Sequence, residues 1–191
     1  MNGPGSTDKV RVLGIAGSLR QGSYNQALLR AALELAPEGM EIRIFEGLDR
    51  IPPYNEDVRA RGEPESVVAL KEAIRQADAL LIATPEYNGS VPGVLKNALD
   101  WASRPPDASP LDGKPVAIMG ASTGNFGTLR AQMHLRQICQ ITNMRPLNRP
   151  EVLVARAAEK FDPQGHLTDE TARYLLRLLL EALMDWTLRL R

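Results

Sequence analysis

The chain has one cysteine, Cys139, so no internal disulfide can staple it. Two histidines, His134 and His166, add little to that single thiol as ligands for zinc or iron, although carboxylate-bound magnesium stays open. No excess of either charge is present: 23 Lys and Arg stand against 23 Asp and Glu, which removes the basic surplus that nucleic-acid binding needs. Uninterrupted apolar runs never approach the roughly 18 residues required to cross a bilayer. Residues 1–9 are polar, with nothing resembling a signal peptide, and together with the lone cysteine this leads to the expectation of a cytoplasmic protein.

What is present is an ordinary globular composition, 43% hydrophobic and 24% charged over 191 residues, enough for one domain that folds in water. Residues 1–9 have little to bury and read as a flexible tail; the domain occupies residues 10–191. The run from Val10 to Ala16 is a buried strand that delivers the chain into a loop at Gly17. Ala27, Leu28, Ala31 and Leu35 then recur at helical spacing, with Ser23 and Gln26 as a capping-box pair. The same grammar repeats: strands over 41–45, 79–84, 115–121 and, more weakly, 151–154; helices over 66–76, 94–102 and 127–143, and a last one capped by Thr168. In that last helix the leucines from Leu175 to Leu190 cover more than one face, which points to burial against the sheet and against another subunit. Five strands alternating with five helices imply an α/β fold, a doubly wound three-layer sandwich on a parallel sheet. Ligands bind such sheets beyond the carboxyl ends of the strands, so the loops after strands one, three and four are the places for chemistry. The proline-rich stretch 104–110 reads as a surface turn.

The first loop, Gly17-Ser18-Leu19-Arg20-Gln21-Gly22-Ser23-Tyr24-Asn25, runs into a helix N-terminus. Unpaired amides there carry a positive partial charge, Ser18, Ser23 and Asn25 add neutral donors, and Arg20 adds a cationic fork, a set suited to a phosphate monoester. Plain capping accounts for Ser23 but not for the cluster. The loop has neither a Walker lysine nor an intact G-x-G-x-x-G, so nucleotide hydrolysis and a standard NAD-binding fold are not its natural readings. The second loop contains Pro85, Glu86, Tyr87, Asn88 and Gly89: prolines stiffen it, glycines admit close approach, and Tyr87 offers an aromatic surface beside polar groups. The third, Gly120-Ala121-Ser122-Thr123-Gly124-Asn125-Phe126-Gly127, falls at the same edge of the sheet.

Taken together, Gly17-Ser18-Leu19-Arg20 with Ser23 and Asn25, then Pro85-Glu86-Tyr87-Asn88, then Leu95-Lys96-Asn97-Ala98-Leu99-Asp100-Trp101, resemble the NADPH-dependent FMN reductase family, which includes bacterial quinone, azo-dye and chromate reductases. The resemblance implies a flavodoxin-like fold with strand order 2-1-3-4-5. It implies FMN as cofactor and NADPH or NADH as hydride donor, with electrons passed by ping-pong transfer to a small-molecule acceptor. By motif, Ser18, Arg20, Ser23, Tyr24 and Asn25 would hold the FMN phosphate; Pro85, Glu86, Tyr87 and Asn88 would line the isoalloxazine; Ser122 and its neighbour Gly124 would approach the ring. No protein nucleophile or acid is required, because the flavin carries the hydride. The resemblance also implies a homodimer or homotetramer in which Arg130 or Glu151 helps join subunits, although Met133 stands where relatives carry a tyrosine.

Two rivals have some footing in the residues. Gly120-Ala121-Ser122-Thr123-Gly124 matches the G-x-S-x-G of serine hydrolases, with Asp162 and His166 following in the order of that class. Those two, however, share one short segment, whereas hydrolase acid and base normally come from separate loops, and His166 beside Gly165 reads as a surface turn residue. A flavodoxin-type electron carrier would show an acidic face, which zero net charge disfavours. Cys139, inside an apolar helical stretch, reads as buried.

Overall fold

In the computed structural model residues 9–191 are described, so the expected tail lies outside them apart from Lys9. The strands β1 (Val10–Ala16), β3 (Ala79–Ala83) and β4 (Pro115–Ala121) are aliphatic with almost no polar alternation, the pattern of central strands covered on both faces. With β2 (Met40–Ile44) they pair in parallel in the order β2-β1-β3-β4. The far edge departs from expectation. The single strand foreseen at 151–154 is two pieces, β5 (Arg145–Pro146) beside the start of β4 and β6 (Val152–Val154) beside its end, which preserves the order 2-1-3-4-5. An edge strand satisfies only one neighbour, so it tolerates the interruption that a central strand would not.

Two cores separate the layers. Leu80 and Ile82 of β3 face one side, Ala79, Leu81 and Ala83 the other. Helices α1 (Tyr24–Leu35) and α6 (Glu170–Leu190) cover the second side with Leu28, Leu29, Leu176 and Leu180. Helices α3 (Glu65–Gln76), α4 (Gly93–Ala102) and α5 (Leu129–Ile141) cover the first with Leu70, Ile74, Leu95, Trp101 and Leu135. Each such large aliphatic, fully buried, contributes about 1.5–3 kcal/mol. A further short helix, α2 (Glu56–Arg61), buries no residue and therefore leaves no apolar periodicity to read. The last helix is capped by Asp169, whose carboxylate accepts the Ala172 N–H at 2.9 Å, not by the neighbouring Thr168. That helix buries Leu176, Leu179, Leu180 and Leu183 and leaves Tyr174, Leu188 and Leu190 exposed. No helix among the described residues is long and apolar enough to cross a membrane.

The block Leu95 to Trp101, which helps carry the family resemblance, has a structural use. Asn97 accepts the Tyr54 N–H at 2.7 Å and donates to the Pro52 carbonyl at 2.9 Å, and the buried Trp101 indole donates to that same carbonyl at 2.8 Å. Lys96 and Asp100 pair on the outer face one turn apart. In the turn at 104–110, the Arg104 carbonyl receives the ammonium of Lys71, a nearly buried lysine that also pairs with Glu63.

Candidate functional site

At the end of β1 the Gly17 N–H donates to the Ala83 carbonyl at 2.9 Å. A β-carbon on Gly17 would stand 3.1 Å from both Leu95 Cδ2 and Pro85 Cδ, so glycine lets the first and second loops close on each other. Ser23 caps α1, its Oγ accepting the N–H groups of Asn25 and Gln26 at 3.2 and 3.5 Å, which leaves the hydroxyl proton free to donate. The expected capping box is not closed. The Ser23 N–H turns back to the Arg20 carbonyl at 3.1 Å, and the Gln26 side chain donates to the Ser18 carbonyl at 3.0 Å, bracing the loop from below. Ser18 is buried and its Oγ accepts the Arg20 N–H at 3.4 Å. Among the described residues the amides of Leu19, Gln21, Gly22 and Tyr24 have no backbone partner, and the first turn of α1 holds no acidic side chain. Arg20 is exposed, its guanidinium 5.9 Å from the Tyr24 ring, which itself rests against Phe161 at 5.2 Å. This is a donor set without a competing carboxylate, and it fits a phosphate.

Asn25, expected at the phosphate, has its side chain engaged within the protein. Its carboxamide does not face the loop: Nδ2 donates to the Ala121 carbonyl and Oδ1 accepts the Ala121 N–H, both at 2.9 Å, and the residue is buried. It joins the top of α1 to the end of β4.

The second loop is a tight turn. Tyr87 and Ser90 exchange two backbone bonds of 3.1 Å, and both central residues, Asn88 (φ 52°) and Gly89 (φ 72°), are left-handed, as a type I′ turn demands. Tyr87 is 51% exposed at its tip. The Ser90 hydroxyl lies 2.9 Å from His134 Nδ1. Glu86, expected along the flavin, directs its carboxylate to the start of α5. Its Oε2 accepts the N–H groups of Arg130 and Ala131 at 2.9 and 3.2 Å, and its Oε1 pairs with the Arg130 guanidinium at 3.0 Å. Helix α5 begins from a left-handed Thr128 that caps nothing, and Glu86 supplies the missing acceptor from another loop. Burial pushes this carboxyl up, but the Arg130 side chain and the two amides outweigh it and hold Glu86 below the ordinary carboxylate range.

In the third loop Ser122 donates its N–H to the Val154 carbonyl and accepts from Ala157, while Gly124 accepts from Arg156. The loop is thereby fastened to the segment after β6, with the Thr123, Gly124 and Asn125 amides left without backbone partners among the described residues. A β-carbon on Gly120 would lie 2.5 Å from the Thr84 carbonyl oxygen, so β3 and β4 end in close contact. Phe126, which the sequence reading did not single out, is 57% exposed here, with the Arg130 guanidinium 4.7 Å from its ring centre. Only its position in a strand-end loop could have marked it. The Ser122 hydroxyl makes no hydrogen bond to His166, whose ring pairs with Asp162 at 2.8 Å in an exposed turn. Cys139 is fully buried, and that burial pushes its thiol up to about 12. A depression of 670 Å³ between α4 and α5 meets the second loop at Ser90 and Val91, and two others lie away from the loops, 430 Å³ around Arg11, Asp78 and Arg191 and 370 Å³ between β2 and α3.

Three loops thus end at one edge of the sheet, tied together by Asn25, Thr84 and Glu86. A family model described as NADPH-dependent FMN reductase matches residues 10–159. The chain belongs to that family. It is 56% identical over 185 residues to a Pseudomonas aeruginosa protein named NAD(P)H-dependent FMN reductase, a match covering 97% of this chain and 99% of the relative. A quinone reductase of Escherichia coli is 46% identical over 166 residues, covering 86% of this chain and 88% of the relative. Among solved structures, the flavoenzyme NAD(P)H:(acceptor) oxidoreductase FerB of Paracoccus denitrificans superposes with a TM-score of 0.85 at 36% identity, over 94% of this chain and 97% of that one. As a member of the FMN reductase family the chain is an oxidoreductase with a flavodoxin-like fold.

Proposed function

We propose that the three loops bind FMN and that the protein passes electrons from NADPH or NADH to small oxidised acceptors: quinones, azo compounds, chromate or free flavin. The observation that carries this reading is the convergence of an acid-free, amide-rich helix N-terminus with an exposed tyrosine turn and a second amide-rich loop. FMN, when bound, supplies a ring that takes up a hydride and returns the electrons in a second half-reaction, a ping-pong cycle. The hydroxyls of Ser18 and Ser23, the amides of Gln21, Gly22 and Tyr24, and the Arg20 fork hold the phosphate. Tyr24 steadies Arg20 from below. Pro85, Tyr87 and Asn88 would line the ring, and the free amides of Thr123 and Gly124, beside Ser122, would donate to it. Asn25 and Glu86 act as positioning residues that keep the loops in register.

Self-association as a homodimer or homotetramer is part of the same reading. Leu129, Met133 and Ile141 stand exposed at helical spacing along α5, Ile141 lining the depression against α4, so this helix offers apolar area to a second copy. Arg130 is already held by Glu86 within the chain, and Glu151 is exposed. Light scattering that shows only monomers removes this part. The lone, unpaired Cys139 fits a cytoplasmic location, which belongs to the same proposal.

The deciding experiment is optical. Purified protein loaded with FMN is yellow and bleaches on adding NADPH or NADH without any other protein. A yellow protein inert to both nicotinamides is a carrier, and a colourless one that cannot be reconstituted removes both readings. Steady-state rates across the four acceptor classes, with each nicotinamide, rank the substrates.

A further inference from the structure

We infer that Phe126 and Arg130 form a platform that selects planar aromatic acceptors, quinones above all, over acceptors with no ring to stack. The inference deepens the reading of the site as a flavin reductase and rests on it. A single exposed phenylalanine is unremarkable on a protein surface. This one is held in place. Its carbonyl accepts the Leu129 N–H at 3.0 Å, and the next residue, Gly127, is left-handed with its α-carbon jammed against the Leu153 backbone, where a β-carbon would stand 2.5 Å from Leu153 C. The Phe126 backbone is therefore fixed relative to β6 and to the end of β4, and Arg130 is stacked on the ring that it carries.

Arg130 is fixed as firmly. Its guanidinium lies 4.7 Å from the Phe126 ring centre, one nitrogen pairs with Glu86 of the second loop at 3.0 Å, and its Cδ would be 3.6 Å from a β-carbon on Gly89. Arg130 thus spans from the Phe126 loop to the Tyr87 turn. Of its guanidinium nitrogens only Nη1 is engaged; Nε and Nη2 have no protein acceptor among the described residues, although the side chain is 55% exposed. A half-exposed aromatic face beside preoriented cationic N–H donors, on the rim of the loops that line the flavin, matches a flat ring bearing carbonyl or anionic oxygens. Chromate can use the charge but not the aromatic face.

Two measurements test this. In FMN-loaded protein, Phe126→Ala raises KM for a naphthoquinone about three- to tenfold, the range of a lost aromatic pair, with kcat within about twofold, while KM for chromate stays put. Phe126→Trp restores the quinone KM and Phe126→Leu does not. Independently of turnover, calorimetric titration with anthraquinone-2-sulfonate, no nicotinamide present, shows the same loss of affinity in Phe126→Ala, and a further loss in Arg130→Gln. Equal anthraquinone affinity in wild type and Phe126→Ala overturns the inference, as does a KM rise shared equally by chromate. Phe126-dependent anthraquinone binding by a protein that neither nicotinamide bleaches instead overturns the reductase reading and leaves the platform standing.

Discussion

The first and second loops perform the same mechanical task by different chemistry. Each is tied across to the β4–α5 region by one polar side chain, Asn25 to the Ala121 backbone at the end of β4 and Glu86 to the start of α5. Asn25 is neutral, buried and matched donor for acceptor, so its tie is indifferent to pH and salt. Glu86 is ionised, paired with an arginine on the protein surface, and works only while it stays charged. The difference shows how one site can be held by a permanent clamp at the first loop and a titratable one at the second.

The largest expected effect breaks the permanent clamp. Asn25→Ala leaves both the N–H and the carbonyl of Ala121 unpaired in a buried place and costs about 2–4 kcal/mol, independent of pH between 5 and 8 on the order of measurement error. Urea unfolding reads it directly; a loss that varies with pH contradicts the neutral character of the tie. Next comes Glu86→Gln, which costs about 1–2 kcal/mol at neutral pH. Because the folded pKa of Glu86 is depressed, its contribution is present above the unfolded carboxylate value and disappears as pH falls through the lower folded one. Wild type and Glu86→Gln therefore converge in stability in acid, whereas wild type and Asn25→Ala do not.

Arg20→Ala separates holding the loop from holding the ligand. The side chain makes no internal hydrogen bond, so unfolding shifts by less than about 0.5 kcal/mol while FMN binds about 10- to 100-fold more weakly, read by fluorescence of released flavin. Smallest is Gln26→Ala, which removes the brace to the Ser18 carbonyl for about 0.5–1.5 kcal/mol and loosens FMN by only a few-fold. If Gln26→Ala weakens FMN as strongly as Arg20→Ala, the loop's shape and not its charge governs binding.

These pairs also mark what a single sequence can disclose. The helix cap at Ser23, the buried β3 and β4 and the glycine at 17 follow from local spacing and steric need, and the structure has them where local rules put them. The destinations of Asn25 and Glu86 lie 96 and 44 residues away, and no local pattern distinguishes a side chain that binds a ligand from one that binds a distant backbone. Helix α2 escaped because it buries nothing, and the split edge strand because three residues are too few to show a period. Thr168 and Asp169 are both good caps; only the fold chooses between them.

The borrowed cap on α5 has a consequence in time. An N-terminal turn that relies on a carboxylate 44 residues upstream cannot be completed while that helix forms alone, so its first amides gain protection only when the second loop docks. Hydrogen exchange at Arg130 and Ala131 should thus report opening of the Tyr87 turn, slowing when a ligand closes that turn and quickening in Glu86→Gln, while amides in the middle of α5 keep the rate of the core.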